Sequence, residues 1–154
     1  MRRKEKEITD PAAIDSILRA AKWATLALNR GNEPYAVALS MGYDPDSKAL
    51  YFHCAMEGQK IDFIRSNPNA CACIVEDLGY RQGDCSHAYR SVVVRGRATI
   101  VEDVGQKRRA LEVLIGHLEQ DPQSAKKKHI PPDDVIAKVG IIRLSIEEMT
   151  AKGS

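Results

Sequence analysis

Three consecutive residues, Gly58, Gln59 and Lys60, stand where an apolar strand-like run through Tyr51 and Phe52 gives way to a short helical pattern. Backbone N–H groups at a helix start have no internal acceptor and lie at the positive end of the helix dipole. A glycine, an amide and an ammonium placed there form a pocket for an anion. Lys60 is the first candidate for a phosphate ligand, because a flexible ammonium adds a point charge to a field that already favours negative groups. A solvated surface lysine is the competing reading of the same residue. Ile61 and Ile64 share one face, and Asn67 precedes Pro68, which disfavours helical geometry, so the helix is expected to end near Asn67.

Two further groups could do chemistry. His53 ends the run from Leu50 to Cys54, and an imidazole can donate a hydrogen bond or supply a proton near neutral pH. A lone histidine at a strand end fits a structural hydrogen bond equally well. Cys54 beside it suits packing or a backbone contact rather than reaction. Cys71 and Cys73 alternate around Ala72 and point to one face, with Cys85-Ser86-His87 in the stretch beyond. Three cysteines and a histidine can hold zinc, but structural zinc sites usually open with two ligands separated by two to four residues. Reduced structural thiols and no metal are therefore expected. His87, His117 and His129 read as loop or helix-surface residues without a role.

These residues need elements to position them. Asp10 and Pro11 make a cap and first turn, and Ile14, Ile17, Leu18 and Ala21 then line one helical face. Strands are expected over 24–29, 35–43, 50–54 and 70–76, with turns at Arg30-Gly31-Asn32-Glu33 and Asp44-Pro45-Asp46. Residues 78–88 read as loop. The longest β signal runs from Tyr89 to Val101, where Gly96 suggests a bulge or bend. Asp103 and Gln106 imitate a capping box, with Leu111, Leu114, Ile115 and Leu118 as the stripe that follows. The proline-bearing span 120–134 reads as loop, and a sixth strand over 139–146 closes the sheet. Six strands, two of them joined by tight turns, and three helices predict an α+β fold, an antiparallel barrel with helices outside it.

Composition bounds the function. At 154 residues and 44% apolar, the chain suits one domain, 1–154, around one core. A formal charge of +2 with aromatics at 5% argues against nucleic acid as a partner, since base-stacking platforms are scarce. The Arg-rich start lacks the apolar segment of a signal peptide, and no run reaches the length of a membrane span, so a cytoplasmic protein is expected.

The segments YFHCAMEGQKIDFIRSNP, MRRKEKEITD, YRSVVVRGRATIVED and IEEMTAKGS together resemble the flavin split-barrel superfamily named after pyridoxamine 5′-phosphate oxidase. The narrower likeness is to its 5-nitroimidazole-resistance (Nim) group, over nearly the whole chain. That resemblance implies a six-stranded split β-barrel, a homodimer, and two FMN sites at the subunit interface. It implies that Lys60 and Gln59 meet the phosphate, with Gln59 a weaker ligand than the arginine of related oxidases. It places Phe52, His53 and Cys54 near the ring, His53 facing the flavin or the molecule above it, and main-chain groups of Val37, Ala38 and Leu39 beneath. Arg90 and Ser91 would reach the phosphate and ribityl chain from the second subunit; an edge strand guarded by charge is the other reading of that pair. The activity implied is an FMN-dependent oxidoreductase with a small organic acceptor, a nitro-aromatic being the class the group's name implies. No G-x-G-x-x-G follows a strand, so any NAD(P)H would bind only transiently. The alternative is a non-catalytic flavin- or haem-binding barrel, with His53 as an axial ligand in the haem case.

Overall fold

In a computed structural model of the chain, residues 3–154 are described; Met1 and Arg2 of the MRRKEKEITD segment lie outside the described residues. After a 3-10 turn at Lys4–Lys6 come β1 (Glu7–Ile8), α1 (Pro11–Ala20), β2 (Trp23–Arg30), β3 (Glu33–Asp44) and β4 (Ala49–Cys54). The chain continues with α2 (Gln59–Ser66), β5 (Asn69–Arg81), β6 (Ser86–Ile100), α3 (Val104–Leu118), α4 (Pro122–His129), α5 (Asp133–Ile136) and β7 (Gly140–Gly153). The strands are antiparallel in the order β1-β7-β4-β3-β2-β5-β6, and β6 also pairs with β7, which closes the sheet into a ring.

Alternation along the strands decides what faces inward. Ala24, Leu26 and Leu28 of β2 are buried while Trp23, Thr25 and Ala27 are exposed. The interior holds Met41, Leu50, Phe52, Ile74, Val92, Val94, Ile142 and Leu144, closed by Ile17 and Leu18 of α1 and by Ile61, Phe63 and Ile64 of α2. A second cluster lies outside the ring under α3, built from Ala49, Tyr51, Val101, Ala110, Leu114 and Ile141. Gly42 lets α3 approach this closely, since a Cβ there would stand 3.0 Å from the Leu114 backbone. The bend expected at Gly96 is present: the β6–β7 register shifts between Arg95 and Gly96. A Cβ at Gly96 would lie 1.8 Å from the Ser145 carbonyl oxygen, so only glycine fits.

Three expectations need correction. Seven strands form rather than six, because Glu7–Ile8 adds a two-residue strand to the end of β7. Residues 78–88 are mostly strand: β5 and β6 run on as a hairpin arm with Tyr80 opposite His87 and Arg81 opposite Ser86. The arm is tied by the Asp77 carboxylate, which accepts from Gly79 N–H at 2.8 Å and meets His87 Nε2 at 2.9 Å. The span 120–134 holds α4 and the start of α5; α4 forms because Asp121 caps it through Ser124 N–H at 3.1 Å with Pro122 in the first turn, the same Asp-Pro device that starts α1.

Candidate functional site

Helix starts in this chain fall into two kinds. In α1, α3 and α4 an aspartate at the cap accepts backbone N–H groups of the first turn. In α2 the cap is Gly58, at φ +111°, and no side chain bonds the turn. The Gly58 carbonyl accepts from Ile61 at 2.9 Å and Asp62 at 3.2 Å, as a normal helix start requires. The N–H groups of Gln59 and Lys60 are left without intrahelical acceptors. Asp62 in this turn opposes an anion, and Lys60 offsets it. Burial holds the Cys54 thiol above its ordinary pKa, and the nearby Lys60 charge acts in the opposite direction.

Strand β4 divides its residues between two faces. Phe52 is fully buried in the barrel interior, so its side chain serves the core; Cys54 is partly buried against that core. His53 points outward and is exposed, and no hydrogen bond holds its ring among the described residues.

The neighbouring strand supplies a backbone edge. Met41 N–H bonds to the Lys22 carbonyl at 3.1 Å. Main-chain groups in an antiparallel ladder alternate sides residue by residue, so Ala36 and Ala38 turn theirs away from β2. The β3–β4 pairing reaches only to Met41 opposite Phe52, and β4 leaves the ladder beyond it. Ala38 therefore offers its main chain at an edge with no strand partner. Val37 and Leu39 spend theirs on β2 and pack their side chains against the core. Exposed Ala36 and Ala38 leave a low, flat shelf beside His53.

Arg90 and Ser91 lie on opposite faces of β6 and cannot bring both side chains to one ligand. The Arg90 guanidinium is paired with the Glu76 carboxylate, which holds the Glu76 pKa below its ordinary value. The Ser91 hydroxyl is buried without a hydrogen-bond partner among the described residues, an orphan that a further group would satisfy. Ser91 sits opposite Val75, and Trp23 opposite Ser40. Extending the β2–β5 register by one pair sets Val75 beside Trp23. Ser91 and His53 then stand four strand spacings apart, roughly 19 Å around the outside of the barrel. One chain does not gather both onto one group.

Trp23, 63% exposed in the middle of this row, is a residue the sequence reading passed over. Its signal was present, as the single tryptophan of an aromatic-poor chain placed at a strand start. Buried Lys107 was also missed. Cys71 and Cys73 share the outer face with Trp23, and Cys85 sits near the tip of the arm; among the described residues no group of three or more His, Cys, Asp or Glu is placed to hold a metal ion. A hollow of about 510 Å³ opens between the end of α3 and α4, lined by Leu118, Asp121, Ser124, Lys128 and His129, away from all these residues. The shelf at β3 and β4 is open surface in the single chain.

A ring-closed antiparallel barrel with an uncapped, lysine-bearing helix start at its rim is a split-barrel fold. The chain belongs to the pyridoxamine 5′-phosphate oxidase family, whose model matches residues 10–153. A solved structure from Bacteroides thetaiotaomicron, provisionally named for 5-nitroimidazole antibiotic resistance, is 28% identical, with a TM-score of 0.77 over 96% of this chain and 86% of that one. An FAD- and haem-binding protein of Mycobacterium smegmatis shares the fold at a TM-score of 0.80 and 19% identity, over 97% of this chain and 73% of its own. An uncharacterized protein of Rhizobium meliloti (strain 1021) is 38% identical over 81 residues, 53% of this chain and about half (48%) of that protein's length. Among the described residues no helix is long and apolar enough to cross a membrane.

Proposed function

We propose that the protein is an FMN-dependent oxidoreductase of the nitroimidazole-resistance type, working in the cytoplasm as a homodimer on a small organic acceptor. The observation that carries this reading is α2: a helix start with free N–H groups and a lysine, beside an open strand edge, where the other long helices are closed by aspartate. The family, the likeness to the Bacteroides protein and the FAD and haem named for the Mycobacterium protein support a flavin as the ligand.

The residues fit that group. Gln59 and Lys60 would hold a terminal phosphate, and the Ala38 main chain would meet the polar edge of the ring system. His53 would donate a hydrogen bond or a proton to the molecule above it. A bound flavin supplies the electron transfer itself. One helix start accommodates one terminal phosphate, which favours FMN. The outer face around exposed Trp23, with Ala27, Ala36, Ala38, Cys73 and Val75, is largely apolar, suited to a second copy that would bring Ser91 to the far side of the ligand. NAD(P)H would act from the open face without a site of its own.

The free ring of His53 also suits an axial haem ligand, and a flavin- or haem-binding protein without turnover is the second reading. A visible spectrum of the purified protein, followed by anaerobic reduction and mixing with a nitro-aromatic, separates the two. Flavin maxima and reoxidation faster than that of free reduced FMN support the enzyme. A Soret band, or reoxidation no faster than free flavin, overturns it.

A further inference from the structure

We propose that Lys107 is a positioning residue for the anion loop, residues 55–58, and through that loop for the flavin phosphate; this rests on the reading of Gly58–Lys60 as the phosphate site.

Lys107 is 1% exposed, and among the described residues no carboxylate pairs with it. Burying an ammonium without a counter-charge is costly, and isolated cases are uncommon. Its Nζ donates to the Ala137 carbonyl at 2.7 Å and lies 3.7 Å from Met56 Sδ. An ammonium has three donors, and a thioether is a weak acceptor, so these two contacts satisfy it poorly. The two contacts tie α3 to two segments: Met56 is in the middle of the loop, and Ala137 lies between α5 and β7, three residues before Gly140.

The loop is gripped at its start as well. A Cβ at Gly140, the first residue of β7, would stand 2.5 Å from the Cys54 carbonyl oxygen and 2.6 Å from that of Ala55. Gly140 thus lets β7 press directly on the main chain that leaves β4. Ala55, Met56, Glu57 and Gly58 have exposed surface and no regular structure, yet they aim the N–H groups of Gln59 and Lys60. Gly140 fixes where the loop leaves the barrel, and Lys107 fixes its middle from α3. An anion site made of backbone N–H groups loses affinity when its loop drifts, because small displacements are costly at oriented donors.

The test measures FMN and riboflavin affinity by flavin-fluorescence quenching, with thermal unfolding of the apoprotein, for wild type, Lys107→Met and Lys60→Ala. Lys107→Met keeps the length of the side chain and removes the buried charge, so the melting temperature is expected to hold or rise. The expected result is an FMN-to-riboflavin affinity ratio lowered about tenfold by a drifting loop. A ratio unchanged in Lys107→Met while Lys60→Ala lowers it overturns the role of Lys107 alone. A ratio unchanged in Lys60→Ala overturns the phosphate reading beneath it. Should Lys107→Met fail to fold, Met56→Leu decides: it keeps the loop's bulk and removes the sulfur contact, and a ratio equal to wild type overturns the proposal.

Discussion

At the scale of residues, the proposed site separates into groups that would hold a ligand and one that would act on it. Lys60 and the uncapped N–H groups of α2 would anchor the ligand, whereas His53 stands on the outer face without a hydrogen-bond partner for its ring. His53→Ala is accordingly expected to retain flavin while slowing reoxidation of the reduced protein by a nitro-aromatic. Loss of a general acid or base costs about a hundred- to ten-thousandfold. Unchanged stopped-flow rates with flavin still bound would make His53 a structural residue. The places of Gly58, Lys60 and His53 at the β4–α2 junction were legible because there residue type and the change of element coincide. Lys107 was not legible. It lies in the charge-rich stretch Gln106-Lys107-Arg108-Arg109, where a lysine reads as part of a solvated face, and only the docking of α3 shows that Lys107, Ala110 and Leu114 form the inward stripe.

At the scale of elements, one of two Asp-Pro helix starts was read from the sequence and the other was not. Asp10-Pro11 was read as a helix start, while Asp121-Pro122 was passed over because the residues after it are polar and carry no apolar stripe. The helix forms all the same, since a cap and a first-turn proline act locally. The hairpin arm was missed because composition does not reveal its ties: the Asp77 carboxylate accepts from Gly79 N–H within β5 and meets the His87 ring across the strands. The end of α3 offers a pH test. His117 is half-buried, and its Nε2–H donates to the Ala21 carbonyl at 2.6 Å. Burial, the largest cause, depresses its pKa, with the Ala21 bond opposing and the Lys22 and Arg19 charges adding to the depression. The folded state therefore binds the His117 proton less readily than the unfolded chain, so this stability is present above the unfolded histidine pKa of about 6.5 and is lost as pH falls through the depressed folded value. Melting temperatures of wild type should fall as pH drops below about 6.5, and His117→Gln, which keeps a donor but does not titrate, should flatten that limb. Parallel pH profiles for the two proteins would show that another group sets it.

At the scale of the whole molecule, an antiparallel barrel closed by a strand over 139–146 was readable from alternation and turns, but the pairings that close it were not. Closure depends on β7 pairing with β4 at one end and with β6 along its length, with the register shift at Gly96 that allows it. Such non-local pairing leaves no mark in any single segment. The outer face of β2, β3 and β5 was also hidden, because its small residues and cysteines look like core until the register turns them outward. If that face is the seam of a homodimer, Trp23→Glu places a charge at its centre and should give a monomer by light scattering at low micromolar concentration, with flavin retention reduced. A mutant that stays dimeric would place the seam elsewhere. The central claim, a flavin held by its phosphate at the start of α2, is tested most directly by titrating FMN and riboflavin into wild-type and Lys60→Ala apoprotein. Wild type should prefer FMN, and Lys60→Ala should lose about 1.5 to 3 kcal/mol of FMN binding, roughly ten- to a hundredfold, with riboflavin little changed. Equal affinity for the two ligands in wild type, or an equal loss of both in the mutant, would contradict the account.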